Sequence, residues 1–301
     1  MRWIHIWGMI VGIGIGLLVA GEAGQTGLPF LKIGVGAPAA GMGNAYTAVA
    51  SDAFATYWNP AGLMAARSGN VVFTHTNWLF DAISEFAAWQ VRGQQSSVAL
   101  HLYTFYVGQI PVRLIPSDQP LATTNAQYLS GGISYARNLR PHLALGVTLK
   151  YLYEKIYVET ATGWALDVGV RYQMPGHPLV LAATLQHLGK MNALLSRASR
   201  LPTVLRAGIA YQPDVAVGPA KFQLAVDGLR YWSGSWKLNS GLEVKLWRQL
   251  ALRAGYLLGY DDRSLGFGFG FQKATLRFDY SFNPFGAGLG EVHRFSMFLA
   301  L

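Results

Sequence analysis

From Gly69 to the end of the chain, large apolar residues recur at every second position. Between Trp164 and Met174 the even-numbered residues are large and apolar or aromatic, whereas Ala165, Asp167, Gly169, Arg171 and Gln173 are small, charged or polar. A period of two sends successive side chains to opposite faces, so such a segment is a strand with one greasy and one polar face. Leu143, Leu145, Val147, Leu149, Tyr151 and Tyr153 repeat the pattern against Ala144, Gly146, Thr148, Lys150 and Glu154. So do Leu265, Phe267, Phe269 and Phe271 against Gly266, Gly268, Gly270 and Gln272, and Leu276, Phe278, Tyr280 and Phe282 against Arg277, Asp279 and Ser281. Strand starts fall near Gly69, Asp81, Ser96, Ala126, His142, Thr162, Pro178, Thr203, Lys221, Trp236, Leu250, Ser264, Ala274 and Gly290, which makes about 14, an even number as bacterial outer-membrane barrels require.

A soluble sandwich shows the same alternation, so strand length and the content of the two faces must decide. The strands run about 9 to 15 residues, beyond the usual 5 to 6 of globular sheets and long enough to cross a bilayer at a tilt. The face opposite the greasy one carries Asp167, Arg171, Arg206, Asp227, Glu243, Lys245, Arg253, Arg277, Asp279 and Arg294, mixed in sign and often separated by glycine. These fit the polar lumen of a barrel whose greasy face meets lipid, with Asp167 and Arg171 as rungs of an interior ion-pair ladder. Trp78, Tyr103, Tyr106, Tyr153, Tyr157, Trp164, Tyr211, Trp232, Trp236, Trp247, Tyr256 and Tyr260 sit near strand ends and suit interfacial girdles. The links at 138–141, 175–177 and 249 read as periplasmic turns. Those at 107–125, 190–202 and 212–220 read as loops on the outer side.

Composition agrees. Of 301 residues, 51% are hydrophobic and only 13% charged, with 35 glycines and no cysteine. Soluble domains carry about 25% charged residues. Disordered and coiled-coil classes need more charge, and disulfide, Cys-zinc and thiol chemistry fall with the missing cysteine. The net charge of +9 is scattered singly, with no basic run or helix to track phosphates, so nucleic acid is not an expected partner. At the N-terminus, Arg2, an apolar run over residues 6–20 and the small residues Gly21 and Ala23 predict a secretory signal peptide over 1–23.

Residues 34–66 break the alternation with a run of small residues. Gly34, Gly36 and Ala39 imitate a dinucleotide fingerprint with Asp52 downstream, but Pro38 sits in the turn and no βα units follow. Asn59-Pro60 reads as an N-cap with proline in the first turn of a short helix reaching about Ala66. A compact, mostly uncharged segment ahead of the first strand fits inside a barrel as a plug. The expected organisation is therefore signal peptide 1–23, hatch 24–68 and barrel 69–301. Gly266, Gly268 and Gly270 read either as barrel-curvature residues or as a hatch-facing wall whose lack of side chains lets the hatch approach.

The run Ala40-Gly41-Met42-Gly43-Asn44-Ala45-Tyr46-Thr47-Ala48-Val49-Ala50, then Asp52, then Tyr57-Trp58-Asn59-Pro60-Ala61-Gly62-Leu63, resembles the N-terminal signature of the PorV/PorQ family of outer-membrane proteins. Asp279-Tyr280-Ser281-Phe282 and Leu289-Gly290-Glu291-Val292-His293-Arg294-Phe295-Ser296 resemble its C-terminal end. That family is similar in fold to the FadL fatty-acid channels, barrels with an N-terminal hatch bearing an Asn-Pro-Ala element, here Asn59, Pro60 and Ala61. The resemblance implies a hatch motif at Gly41, Gly43, Asn44, Asp52, Asn59, Pro60, Ala61 and Gly62. It also implies a role in type IX secretion, binding a large translocon or the C-terminal signal domain of secreted cargo. FadL-like passage of hydrophobic solutes is the alternative. This chain is shorter than typical PorV members and has no very long outer loop.

No His-Glu-x-x-His or Gly-x-Ser-x-Gly motif occurs, and the histidines lie on separate strands or turns. The expectation is an integral outer-membrane, all-β transmembrane barrel that contacts lipid, with neither catalytic nor metal-binding residues and no cofactor.

Overall fold

In the computed structural model, residues 26–301 are described apart from 114–115, 117–118, 195–197 and 214–217, so the expected signal peptide lies outside the described residues. The strands are β1 Asn70–Asn77, β2 Ile83–Arg92, β3 Ser96–Val112, β4 Ala122–Arg140, β5 Leu143–Ile156, β6 Glu159–Gln173 and β7 Leu179–Met191. They continue as β8 Val204–Tyr211, β9 Ala220–Tyr231, β10 Trp236–Leu246, β11 Leu250–Leu258, β12 Leu265–Lys273, β13 Leu276–Phe285 and β14 Gly290–Ala300. Each pairs antiparallel with its sequence neighbours, and β1 pairs with β14 from Asn70 opposite Ala300 to Asn77 opposite His293, which closes the barrel. Closure leaves no unpaired edge, the condition under which a sheet can stand in hydrocarbon.

The period of two in sequence is the inside-outside period of the wall. On β6, Trp164 is 58% and Leu166 39% exposed, whereas Asp167 between Leu166 and Val168 is fully buried. Phe267, Phe269 and Phe271 on β12 and Leu145, Val147 and Leu149 on β5 are likewise exposed. A continuous apolar outer surface of this kind is stable only against lipid.

Strand parity assigns every link to one of two rims. One carries the start of β1, the end of β14 and the short turns β2–β3, β4–β5, β6–β7, β10–β11 and β12–β13; by its short turns it is the periplasmic rim. The β8–β9 link over 212–219, expected outside, opens at this same rim, because eight strands precede it and an even number returns the chain to its starting side. The opposite rim carries the links at 113–121 and 192–203. The expected loop at 107–125 is shorter than the prolines suggest. β3 runs to Val112 and β4 begins at Ala122, with an irregularity between Val107 and Ile110, beyond which Pro111 stands in register opposite Thr123.

Exposed Trp232, Trp236, Tyr106 and Tyr157 lie toward the outer rim, and Tyr211 and Trp247 toward the periplasmic one, as girdle residues should. Tyr103 does not belong with them. It sits on the inward parity of β3, is 1% exposed and donates to the carbonyls of Phe30 and Ile33. Trp78 turns inward too, its ring under the Arg294 guanidinium and edge-on to Phe285.

Candidate functional site

The chain ahead of β1 lies against the inward faces of the strands and forms most of the buried apolar core. Its regular pieces are short: a 3₁₀ turn at Pro29–Lys32, α1 Ala37–Gly41, α2 Ala55–Trp58 and a second 3₁₀ helix at Pro60–Ala65. Isolated helices of this length do not hold in water. Here they are held from outside. Gly27 N–H donates to the carbonyl of Arg200 in the outer 192–203 link, while Arg92 near the periplasmic rim donates to the carbonyls of Ala66 and Met64. The segment therefore runs through the ring from one rim to the other.

Glycine makes the approach possible, more widely than the sequence suggests. A β-carbon on Gly268 would lie 3.2 Å from the Gly41 α-carbon, and one on Gly266 would run into the Ala40 carbonyl oxygen. Gly270 faces elsewhere, onto Asp279 and Arg253, because it lies beyond the end of α1 and its lack of side chain makes room for their ion pair. The same need for space governs Gly146 against Pro60, Gly169 against the Asn59 side chain, Gly241 against Met42 and Gly255 against Gly43. Gly43 (φ 61°) and Asn44 (φ 63°) turn the chain sharply after α1 in the left-handed region that Gly and Asn tolerate best.

Asn59 caps the 3₁₀ helix as expected, its side-chain oxygen accepting from Ala61 N–H at 3.1 Å, but the helix is 3₁₀ and ends at Ala65. Its amide also donates to the Thr47 carbonyl at 3.2 Å and the Val170 carbonyl of β6 at 3.1 Å, tying helix, segment and wall together. Pro60 and Ala61 follow it, fully or nearly buried, and Gly62 packs on the Ala50 carbonyl. Asp227 on β9 accepts the backbone N–H groups of Tyr46 (2.9 Å) and Thr47 (2.8 Å). Gln186 on β7 donates to the Tyr57 carbonyl and accepts from Arg206, whose guanidinium lies 5.4 Å from the Trp58 ring. Burial pushes the Tyr57 phenol well above its ordinary range; its hydroxyl serves the carbonyls of Leu31 and Ile33.

Two charged networks line the lumen. In one, Asp52 of the segment meets Arg277 (3.1 Å), Arg277 meets Asp279 (2.7 Å), Asp279 meets Arg253 (2.8 Å), Arg253 meets Glu243 (2.6 Å), and Glu243 meets Lys245 (3.0 Å). Buried ions of this kind cost desolvation and hold only while every member keeps its partner. In the other, Asp167 bonds Lys150 at 2.7 Å and accepts the His187 N–H at 2.8 Å, while Lys150 donates to His187 Nδ1 at 2.8 Å. Lys150 being a donor only, His187 offers it a bare ring nitrogen. This corrects the expected Asp167–Arg171 ladder. The two share a face of one strand, but pairing runs across strands, and the Arg171 Nε has no partner. Arg294 reaches Asn283 rather than a carboxylate.

Lys150 and His187 are not among the site residues expected from sequence. Lys150 was legible as one of the inward residues of β5. His187 was not, because a bulge opposite Asp167 puts both Gln186 and His187 inside, with His187 at φ 60°.

At the outer rim, beside the point where the segment enters the ring, a cavity of about 870 Å³ is lined by Met191, Leu201 and Trp232 together with Lys190, Arg200 and Thr203.

A closed fourteen-strand antiparallel barrel, apolar outside and polar within, is an integral β-barrel of the bacterial outer membrane. Its fold is similar to that of the CymD monoaromatic hydrocarbon channel (TM-score 0.62, 12% identity, 89% of this chain and 98% of that one). It is similar also to the Pseudomonas putida toluene transporter TodX (0.60, 11%, 89% and 99%) and to a Pseudomonas aeruginosa FadL homologue (0.58, 10%, 88% and 98%). No curated protein sequence matches the chain. Residues 21–171 match the profile of the family described as type IX secretion system protein PorV, and the chain belongs to that family.

Proposed function

We propose that this protein is an outer-membrane component of a type IX secretion pathway, not an enzyme, and that it binds the translocon, the C-terminal signal domain of cargo, or both. The observation that carries this reading is the family match, which spans the inner segment and most of the first six strands. The packing is consistent with it. A segment held to the wall by Asp227, Asn59, Gln186 and Arg277 acts as a hatch, which fills the ring in the state described.

A second reading has its own support: a conduit for hydrophobic solutes, favoured by the likeness to hydrocarbon channels and by the outer-rim cavity, whose volume falls in the range of small-molecule sites. Deletion separates the two. Loss of cargo export, with a much larger membrane partner or a cargo domain co-purifying in mild detergent, supports the first. Normal export in the deletion strain, with loss of growth on or uptake of an apolar solute, replaces it with the second.

A further inference from the structure

The positive charge of this chain is not spread evenly between the two rims. At the outer rim Asp81, Glu85, Glu159, Asp261, Asp262 and Glu291 stand among the basic residues. At the periplasmic rim, the described residues of the turns and of the three strand positions nearest them include no Asp or Glu, and the sequence places only Asp214 in the undescribed part of a link there; Glu243 and Asp279, one position deeper at the level of Arg137, face inward and are paired. The basic residues of that rim differ in where they face. Arg92, Arg171, Lys221, Lys245 and Arg277 share the inward parity of their strands, Lys221 stands directly opposite Lys245, Lys245 pairs with Glu243 and Arg277 with Asp52 and Asp279, and Arg67 is exposed just ahead of β1. Arg137, Arg140, Arg248 and Lys273 are exposed at the outer margin of the rim, and none of these four pairs with a carboxylate among the described residues.

The surroundings of these last four point to their partner. Arg137 lies between Tyr135 and Leu139, 44% and 56% exposed; Arg248 follows Trp247, 63% exposed; Lys273 continues the outward row of Phe271. Cations set beside exposed aromatic and aliphatic side chains, at the level where strands leave the hydrocarbon, are placed for a boundary that is greasy on one side and anionic on the other. An acidic soluble protein would be met by cations at the turn tips alone and would leave the adjoining apolar residues unused. Unpaired like charges on one rim also repel each other, and phosphate groups would relieve that repulsion. We propose that Arg137 and Arg140 at the end of β4, and Arg248 and Lys273 on the opposite side of the ring, form two headgroup sites at the periplasmic rim, which gather phosphate-bearing anionic lipid of the inner leaflet around the barrel.

The full chain in lipid nanodiscs tests this, with spin-labelled phosphatidylglycerol and phosphatidylcholine reporting which lipid the barrel wall retains. The wild type should prefer phosphatidylglycerol, and added salt should weaken the preference. Replacing the four residues by Gln should reduce it at least about tenfold, since each cation near an anionic surface contributes roughly a fivefold factor before screening. Lys221→Gln, at the mouth, should leave it unchanged. Should the fourfold variant fail to show a heat-modifiable barrel on gels, Arg248→Gln with Lys273→Gln and the salt titration of the wild type stand in for it. Equal retention of both lipids by the wild type, or an undiminished preference in the variant, overturns the assignment. So does stronger retention of lipid A than of phosphatidylglycerol, which would place the sites at the outer leaflet. Capture of polyglutamate without any lipid preference would reassign the sites to an acidic protein and overturn it equally.

Discussion

Asn59→Ala removes a side chain that is fully buried and makes three hydrogen bonds. Losing the cap to Ala61 N–H costs about 1 kcal/mol. The carbonyls of Thr47 and Val170 lose their amide donor in a place water does not reach readily, at about 1 kcal/mol each. The sum, about 3 kcal/mol, falls on the inner segment and not on the ladder, because the lost bonds join segment to segment and segment to wall while the barrel's strand-to-strand bonds persist. Local opening should therefore become roughly 100-fold more frequent. Hydrogen exchange by mass spectrometry on detergent-solubilised protein should show that acceleration in peptides covering residues 44–62 and little change in β11 to β14. Asn59→Asp keeps the cap acceptor but has no donor for the two carbonyls, so it should fall close to Ala rather than to wild type. Unchanged exchange in Asn59→Ala, or equal acceleration throughout the strands, would refute the argument that this side chain is the tie between segment and wall.

In planar bilayers the wild type should conduct poorly, deletion of residues 38–66 should open a large pore, and Gly268→Leu should lie between them, because its side chain would occupy the position of Gly41; Gly131→Leu, with open space around it, should behave as wild type. Equal conductance in all four would remove the hatch assignment. Arg277→Gln leaves the Asp52 and Asp279 carboxylates without a cation they share, at a cost of about 3 kcal/mol in a denaturant titration; a loss under about 1 kcal/mol would show that network to be idle. Because the chain has no cysteine, single thiols report the rims: on whole cells an impermeant maleimide should label Ser233→Cys and not Gln249→Cys, and the reverse would invert the barrel. The Tyr57 phenol, raised above its ordinary 10.0, contributes stability that is complete below that pH and is lost as pH climbs toward the folded value. Alkaline loosening of the segment should thus begin above about pH 10, and Tyr57→Phe should abolish its share.

Most strand starts were legible because each greasy residue in an alternating run has one side of the sheet to occupy, as with Trp164, Leu166 and Val168 around Asp167. Trp236, Leu250 and Gly290 begin strands where the pattern places them. Legibility failed where the period or the parity breaks. The bulge at His187 put a residue of outward parity inside, and with it the Lys150–Asp167–His187 cluster, whose members are 17 and 20 residues apart. Tyr103 lies midway along β3 rather than near its end, because the strand runs on to Val112, and on the inward parity it meets the Phe30 carbonyl instead of lipid. In the segment, the glycines and Asn59 could be singled out, whereas their partners at Gly146, Gly169 and Asp227 depend on strand register, which alternation alone leaves open.

The path of the inner segment, entering beside Arg200 at one rim and leaving beside Arg92 at the other, has a consequence for biogenesis. A strand of chain already joined to β1 at the periplasmic end cannot be drawn sideways into a finished ring. A seam between β1 and β14 that closes last closes around the segment already in place. The seam is tied to that segment: Ser296 of β14 accepts Ala37 N–H and bonds Thr74 of β1 across the join, and Asn70, at the foot of β1, accepts Ala53 N–H. Filling and closure are in that sense one cooperative event. A ring that shut empty would leave these seam groups, and the buried Asp227, without their partners, and quality control in the periplasm could tell it from a finished one.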